Sequence, residues 1–174
     1  MERTCMNREP ESKVRIQFEH CDPFGHLNNM QYLSYIMTAR TNHLRDEYQF
    51  DLFEHGNRTG NNWVVSRTRI NYLSPIQYNE IATIQTRLLH VDERKIIPEA
   101  IVCNEDKTKL HAVAWIEFTY FNVNRARPIR HETELLDFLK SIAMPLEEFH
   151  LEKLDQRIAE IRKSLGRSIQ MVGM

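Results

Sequence analysis

Cysteine is scarce: Cys5, Cys21 and Cys103 are the only three in a chain of 174 residues. An odd number without paired spacing implies no disulfide framework, and reduced thiols fit a cytoplasmic protein. No apolar run approaches the length needed to cross a bilayer. Segment 1–12 carries charge of both signs and no continuous apolar stretch, so no secretory signal is expected there. Neither sign of charge dominates, with 23 Lys and Arg against 24 Asp and Glu and a formal net charge of −1. No global field is therefore available to draw in nucleic acid or an anionic membrane, although one local basic patch would serve a phosphate-bearing small ligand. A Gly-x-Ser-x-Gly elbow, a Gly-rich phosphate loop and a His-x-x-x-His pair are all missing, so no metal or cofactor site is expected. Cys21 follows His20, but adjacent side chains of an extended segment point to opposite faces and would not pair as nucleophile and base. Trp63, Tyr72, Trp115 and Tyr120 lie in strand-like segments of mixed charge and read as core rather than as base-stacking platforms.

Hydrophobic residues make up 41% of the chain and charged residues 27%, the balance of an ordinary domain long enough to bury its own core. Val14, Ile16 and Phe18 alternate with Arg15, Gln17 and Glu19, the signature of a strand with one buried face. Asp22-Pro23-Phe24-Gly25 then places Asp, Pro and Gly where a type I turn prefers them. Asn28 is a good helix cap with Gln31 three residues on. Met30, Leu33, Met37, Thr41, Leu44 and Tyr48 follow as one helical stripe expected to face a core. Gly56 is the expected stop, and 56–62 a loop.

From Trp63 the texture changes to strands. Val64, Ser66, Thr68, Ile70 and Tyr72 are expected on one face, and segments 80–91, 94–103 and 110–121 follow, with turns at 92–93 and 104–107. The last is apolar on both faces and so central, while Pro98 calls for a bulge or an edge. The order is strand, long helix, four strands: an α+β pattern with an antiparallel meander. One helix covers one face of such a sheet, so an oligomer or a second sheet is expected to cover the other. Segment 131–143 is expected to be a short helix. Leu151, Leu154, Ile158, Ile161 and Leu165 form an apolar seam expected to dock on its own subunit or a neighbour.

The segment Asp22 to Tyr32 sits between a strand and a helix start, a junction suited to acyl transfer. Unpaired N–H groups and the partial positive charge of a helix N-terminus can stabilise an oxyanion. A carboxylate held just before it can attack a carbonyl or activate a water. A thiolate leaves without obligatory protonation, so little else is required. On spacing alone, however, Asp22 opens a turn and Asn28 caps a helix, and this structural reading takes precedence.

The stretch from Val14 through Asp22-Pro-Phe-Gly-His-Leu-Asn-Asn-Met-Gln-Tyr32 to Ala39-Arg40 resembles the signature of hotdog-fold thioesterases of the 4-hydroxybenzoyl-CoA thioesterase type. Asn71-Tyr-Leu-Ser-Pro75 and Arg127-Pro-Ile-Arg130 add weaker matches. The resemblance implies an antiparallel sheet wrapped around one long central helix, hydrolysing a fatty or aromatic acyl-CoA to free acid and CoA, with coenzyme A entering only as part of the substrate. It divides the chain into a polar tail (1–12), a hotdog domain (13–130) and a C-terminal helical extension (131–174). Asp22 would be nucleophile or general base, and the backbone N–H groups of Phe24, Gly25 and His26 would polarise the thioester carbonyl. His26 would either orient a water or bond the loop backbone, and Tyr32 would touch Asp22, the acyl chain or the core. Ser66 and Thr68 are candidates to line the substrate pocket, and Arg125, Arg127 and Arg130 to meet the CoA phosphates, with a solvated loop as the other reading. The partners implied are acyl-CoA and further copies of the chain, as a homodimer or homotetramer with sites at the subunit interface. An acyl-carrier-protein substrate and a non-catalytic acyl-CoA-binding module are the alternatives. Sensors of the latter kind usually carry a DNA-binding segment, which is not expected here. A hydratase would want a His paired with a carboxylate in a spacing that the chain lacks.

Overall fold

The computed structural model describes residues 6–146 and 149–172, with side chains described as far as Leu165. Cys5 and the first part of the polar tail lie outside the described residues. Six strands, β1 (Glu11–Arg15), β2 (Asn61–Tyr72), β3 (Ile81–Val91), β4 (Lys95–Asn104), β5 (Leu110–Asn122) and β6 (Arg127–Pro128), form one antiparallel sheet in the order β1-β3-β4-β5-β2, with β6 paired to β5. Among the described residues four α-helices accompany them: α1 (Asn29–Tyr48), α2 (Leu52–Thr59), α3 (Thr133–Ile142) and α4 (Leu154–Val172). This is the hotdog architecture, a curled antiparallel sheet around a long helix.

Strand β1 begins at Glu11, inside the segment read as tail, because an edge strand beside β3 needs few apolar residues. Its alternation stops at Ile16, which is buried. Phe18 enters a short 3₁₀ turn and is exposed, contrary to the strand expectation. The long helix ends earlier than expected, at Tyr48, where Gln49 takes a left-handed conformation and its N–H bonds the Leu44 carbonyl. Asp51 then caps α2, accepting from the N–H groups of Phe53 and Glu54. Gly56 therefore lies within a helix, and Gly60, at φ 68°, is the actual stop.

Of the stripe expected of it, helix α1 buries only the last two members, Leu44 and Tyr48. Tyr32, Ile36, Ala39, Arg40, His43 and Leu44 face the sheet, whereas Met30 is 83% exposed and Leu33, Met37 and Thr41 are only half-buried. The two stripes lie side by side on the same helix, and the true one contains a cation and a histidine that hydrophobic periodicity discounts. In β5, Ala112, Ala114, Ile116 and Phe118 pack against α1 while Val113 and Trp115 face the other way, so the strand is central and apolar on both sides. Pro98 is accommodated opposite a bulge in β3 between Leu88 and His90.

The far face of the sheet is covered by the chain itself. Leu154, Ile158 and Ile161 of α4 pack on Leu89, Ile101, Val113 and Trp115. That face is thus covered by the chain's own α4 and not by the partner subunit or second sheet expected to cover it. Glu99, 0% exposed, fixes the contact, since Arg157 of α4 reaches it at 3.1 Å, Arg87 at 2.8 Å and the Trp115 indole N–H at 2.9 Å. Among the described residues no helix is long and apolar enough to cross a membrane.

Candidate functional site

The loop between β1 and α1 folds back on itself beside the helix start. Asp22 N–H donates to the His26 carbonyl (2.7 Å), Gly25 N–H to the Asp22 carbonyl (3.0 Å) and Asn28 N–H to the His20 carbonyl (2.9 Å). Gly25 sits at φ 78°, a conformation that a side chain resists, which is why glycine closes this turn. The loop is tied to the chain after β2 by Leu27 N–H donating to Ile76 O and Tyr78 N–H to Gly25 O. Asn28 Oδ1 accepts from Met30 N–H at 2.9 Å, capping α1 as its residue type suggests.

Asp22 is half-buried, and its two oxygens differ. Oδ1 accepts from Phe24 N–H (2.9 Å) and His26 N–H (3.1 Å), an Asx-turn arrangement. Oδ2 has no hydrogen bond among the described residues. The three N–H groups expected to polarise a carbonyl, those of Phe24, Gly25 and His26, are thus all engaged by Asp22 itself. The reason is local: a short acidic side chain at the head of a turn satisfies the turn's own donors first. Leu27 and Asn28 donate to Ile76 and His20, and the N–H of Asn29, in the first turn of α1, is the first beyond them with no partner among the described residues. The His26 ring makes no hydrogen bond there either; its backbone does the bonding.

Tyr32 is buried in the core, with its ring edge-on to Tyr72 at 5.1 Å, and burial, then Tyr72, pushes its hydroxyl up to about 12. Tyr72, read from sequence only as core, is exposed and donates to the Asn29 carbonyl at 2.9 Å, joining the end of β2 to the start of α1. Partial burial, and then the adjoining Asp22, raise the Cys21 thiol, which disfavours a thiolate there.

Ser66 and Thr68 do not share a face. A bulge between Val65 and Arg67 breaks the alternation of β2, so Ser66 turns outward to Glu117 (3.0 Å), while Thr68, opposite Ile116, keeps the α1 side. Tyr72 meets Asn29 where β2 ends and α1 begins, and a cavity of about 90 Å³ lies further along the two elements, where Met37 and Thr41 of α1 and Asn62 and Trp63 of β2 line it. Met37, Leu44, Phe50, Trp63, Phe118 and Phe138 line it. Arg40 lines it too, a residue noticed in the sequence only within a motif. The available signal was a charge four residues after Ile36, on what became the buried face.

Arg125, Arg127 and Arg130 lie on and after the β5–β6 turn, exposed, with Arg130 paired to Glu93 at 3.3 Å. That turn adjoins Asn61, which opposes Asn122, whereas Asp22 lies at the Tyr72 end of β2. Twelve residues of extended strand separate the two ends by about 35 Å. No single subunit brings these arginines to its own Asp22.

A family model described as the thioesterase-like superfamily matches residues 16–164, a span that includes α3 and most of α4. The long-chain acyl-CoA thioesterase FadM of Escherichia coli (strain K12) is 24% identical over 132 residues, covering 76% of this chain and 98% of that protein. The solved structure of YbaW, a probable thioesterase from Escherichia coli, superposes with a TM-score of 0.67 at 23% identity, covering 76% of this chain and 97% of that one. The 12:0-ACP thioesterase of Umbellularia californica superposes at 0.76 with 10% identity, over 86% of this chain and 55% of that one.

Proposed function

Because the chain belongs to the thioesterase-like superfamily, we propose that it hydrolyses a fatty acyl-CoA to the free acid and CoA, with Asp22 as the catalytic carboxylate. The observation that carries this is the division of labour at Asp22: Oδ1 is anchored by two backbone donors and Oδ2 is left free beside a helix N-terminus. Oδ2 either attacks the thioester carbonyl carbon, giving an anhydride that water then opens to the free acid and Asp22, or takes a proton from a water that attacks in its place. On either route the C–S bond breaks and the CoA thiolate leaves. The developing oxyanion is met by the Asn29 N–H and the positive end of α1, a role that passes to Asn29 because the donors of Phe24, Gly25 and His26 are occupied.

The acyl chain lies along the lane between Leu33–Met37–Thr41 and β2, passing Thr68 and ending in the aromatic cavity. Leu33 and Met37 pack against the core with one side and leave the other side to the acyl chain. The similarity to FadM, a long-chain acyl-CoA thioesterase, favours an aliphatic over an aromatic acyl group. Strand β2 is a twelve-residue edge with Val64 and Val65 exposed, suited to antiparallel pairing with the same strand of a second copy. Such pairing brings the Asn61 end of one subunit to the Tyr72 end of the other. The partner subunit's Arg125 and Arg127 then approach Asp22 and can hold the CoA phosphates, which supports a homodimer with composite sites.

Thiol release from acyl-CoAs of graded chain length, with acyl-carrier-protein thioesters and an aromatic acyl-CoA beside them, tests the activity. Turnover that rises with aliphatic length on CoA supports the reading. Turnover confined to carrier protein, or tight acyl-CoA binding without thiol release, contradicts it.

A further inference from the structure

The cavity at the end of the acyl lane contains a group that a plain hydrocarbon chain leaves unmatched. Arg40 is 6% exposed, lines the cavity, and its Nη1 has no hydrogen-bond partner among the described residues. The guanidinium bonds the Tyr48 hydroxyl, which itself donates to the Asn7 carbonyl at 2.8 Å. No carboxylate among the described residues forms an ion pair with it. Burial lowers it to about 10, so it stays cationic at neutral pH. His43, one turn on, offers no compensation: burial first and the Arg40 charge second push its ring down to about 4, and Nδ1 is taken by Thr86 at 2.7 Å. Asn62, the other polar side chain with a long reach at the cavity, donates to the Leu52 carbonyl. A buried cation without a counter-charge is costly, and apart from Thr41 the remaining walls are apolar or aromatic.

We propose that the cavity receives a carboxylate carried on an aliphatic chain, with the carboxylate bound by Arg40. On the thioesterase reading, on which the assignment to substrate rests, the group is the free end of a dicarboxylic acyl chain whose other end is the thioester at Asp22. Asn29 and Arg40 are eleven residues apart on α1, about 16 Å of helix, a span that calls for a long chain. The apolar walls hold the methylenes, and the Arg40 guanidinium selects for the anionic end. A free fatty acid carries the same chemistry and would place its single carboxylate on Arg40.

The test compares hexadecanoyl-CoA with hexadecanedioyl-CoA on the wild type, Arg40→Met and Arg40→Lys. A charge-assisted contact in a dry site predicts that wild-type kcat/KM favours the dicarboxylic substrate by about tenfold or more. The ratio falls to one or below in Arg40→Met and is partly restored in Arg40→Lys. Equal kcat/KM for the two substrates in the wild type, or a ratio unchanged in Arg40→Met, overturns the assignment to substrate while leaving the thioesterase reading standing. Hydrolysis of neither substrate removes the thioesterase reading instead. Thermal stabilisation of the wild type by hexadecanedioate and hexadecanoate against uncharged hexadecanol reads the Arg40 contact without catalysis, even if Arg40→Met does not fold. Stabilisation by the acids alone supports the contact. Where it occurs without a preference for hexadecanedioyl-CoA, the carboxylate is that of a free fatty acid. Stabilisation by the alcohol equal to that by the acids overturns the proposal.

Discussion

Asp22 holds its own loop together with one oxygen and presents the other. Asn retains a carbonyl oxygen that can accept from the Phe24 and His26 N–H groups, whereas Ala retains none. Asp22→Ala should therefore cost about 1 kcal/mol of stability in addition to any chemistry, and Asp22→Asn little, a contrast that chemical denaturation measures. His43 gives a second prediction. Its ring is neutral in the folded protein, held down to about 4 mainly by burial, but has an ordinary value near 6.5 when unfolded. Between those values the unfolded chain binds the extra proton, so stability is fully present above about pH 6.5 and is lost as pH falls towards about 4. His55, His111 and His131 are also lowered by burial and add to the same slope. His43→Asn should flatten the acid limb of a curve of unfolding free energy against pH, measured with denaturant, by up to about 3 kcal/mol; an unchanged slope would contradict the burial argument. Residue type and spacing made Asp22, its turn and the Asn28 cap legible in the sequence. The engagement of the Phe24, Gly25 and His26 donors was not, because it depends on which way one carboxylate turns.

Helix α4 shows what an element's pattern can reveal and what it cannot. Leu154, Ile158 and Ile161 were readable as an apolar face, and they are buried. Their destination was not readable, since Glu99 and Arg157 are charged residues far apart in the chain that periodicity assigns to solvent. Arg157→Met should destabilise the protein by about 3 kcal/mol or more, because it leaves part of a fully buried carboxylate's charge uncompensated. Denaturant unfolding measures this, and a change within about 0.5 kcal/mol would mean that α4 is held by its apolar contacts alone. The same limit explains the misread stripe of α1: the half-exposed lane is more hydrophobic in composition than the face that carries Arg40 and His43 into the core. In β2, one bulge at Ser66 reverses which side chains share a face, and no residue type announces it.

At the scale of the molecule, both faces of the sheet are covered within one chain, by α1 and α3 on one side and α4 on the other. The element order and the bounds of β2 to β5 followed closely from alternation and turn residues, so the α+β meander was legible, whereas its wrapping around α1 as a hotdog came from the resemblance. The separation of the arginines from Asp22 was not, because it follows from strand direction across the sheet. The composite-site proposal makes a prediction that only an assembly can answer. Co-refolding equal amounts of Asp22→Asn and an Arg125→Glu/Arg127→Glu variant should recover about a quarter of wild-type activity, since half of the random dimers carry one intact site of two. No recovery would place the phosphate-binding groups elsewhere.

The central claim, that Asp22 performs thioester hydrolysis, is tested most directly by thiol release from a long-chain acyl-CoA, with Asp22→Asn beside the wild type and circular dichroism verifying the fold of both. The account predicts turnover by the wild type and a loss of kcat by several orders of magnitude in the variant, with the fold and thermal stability retained. A folded Asp22→Asn protein that releases thiol as fast as the wild type would contradict it.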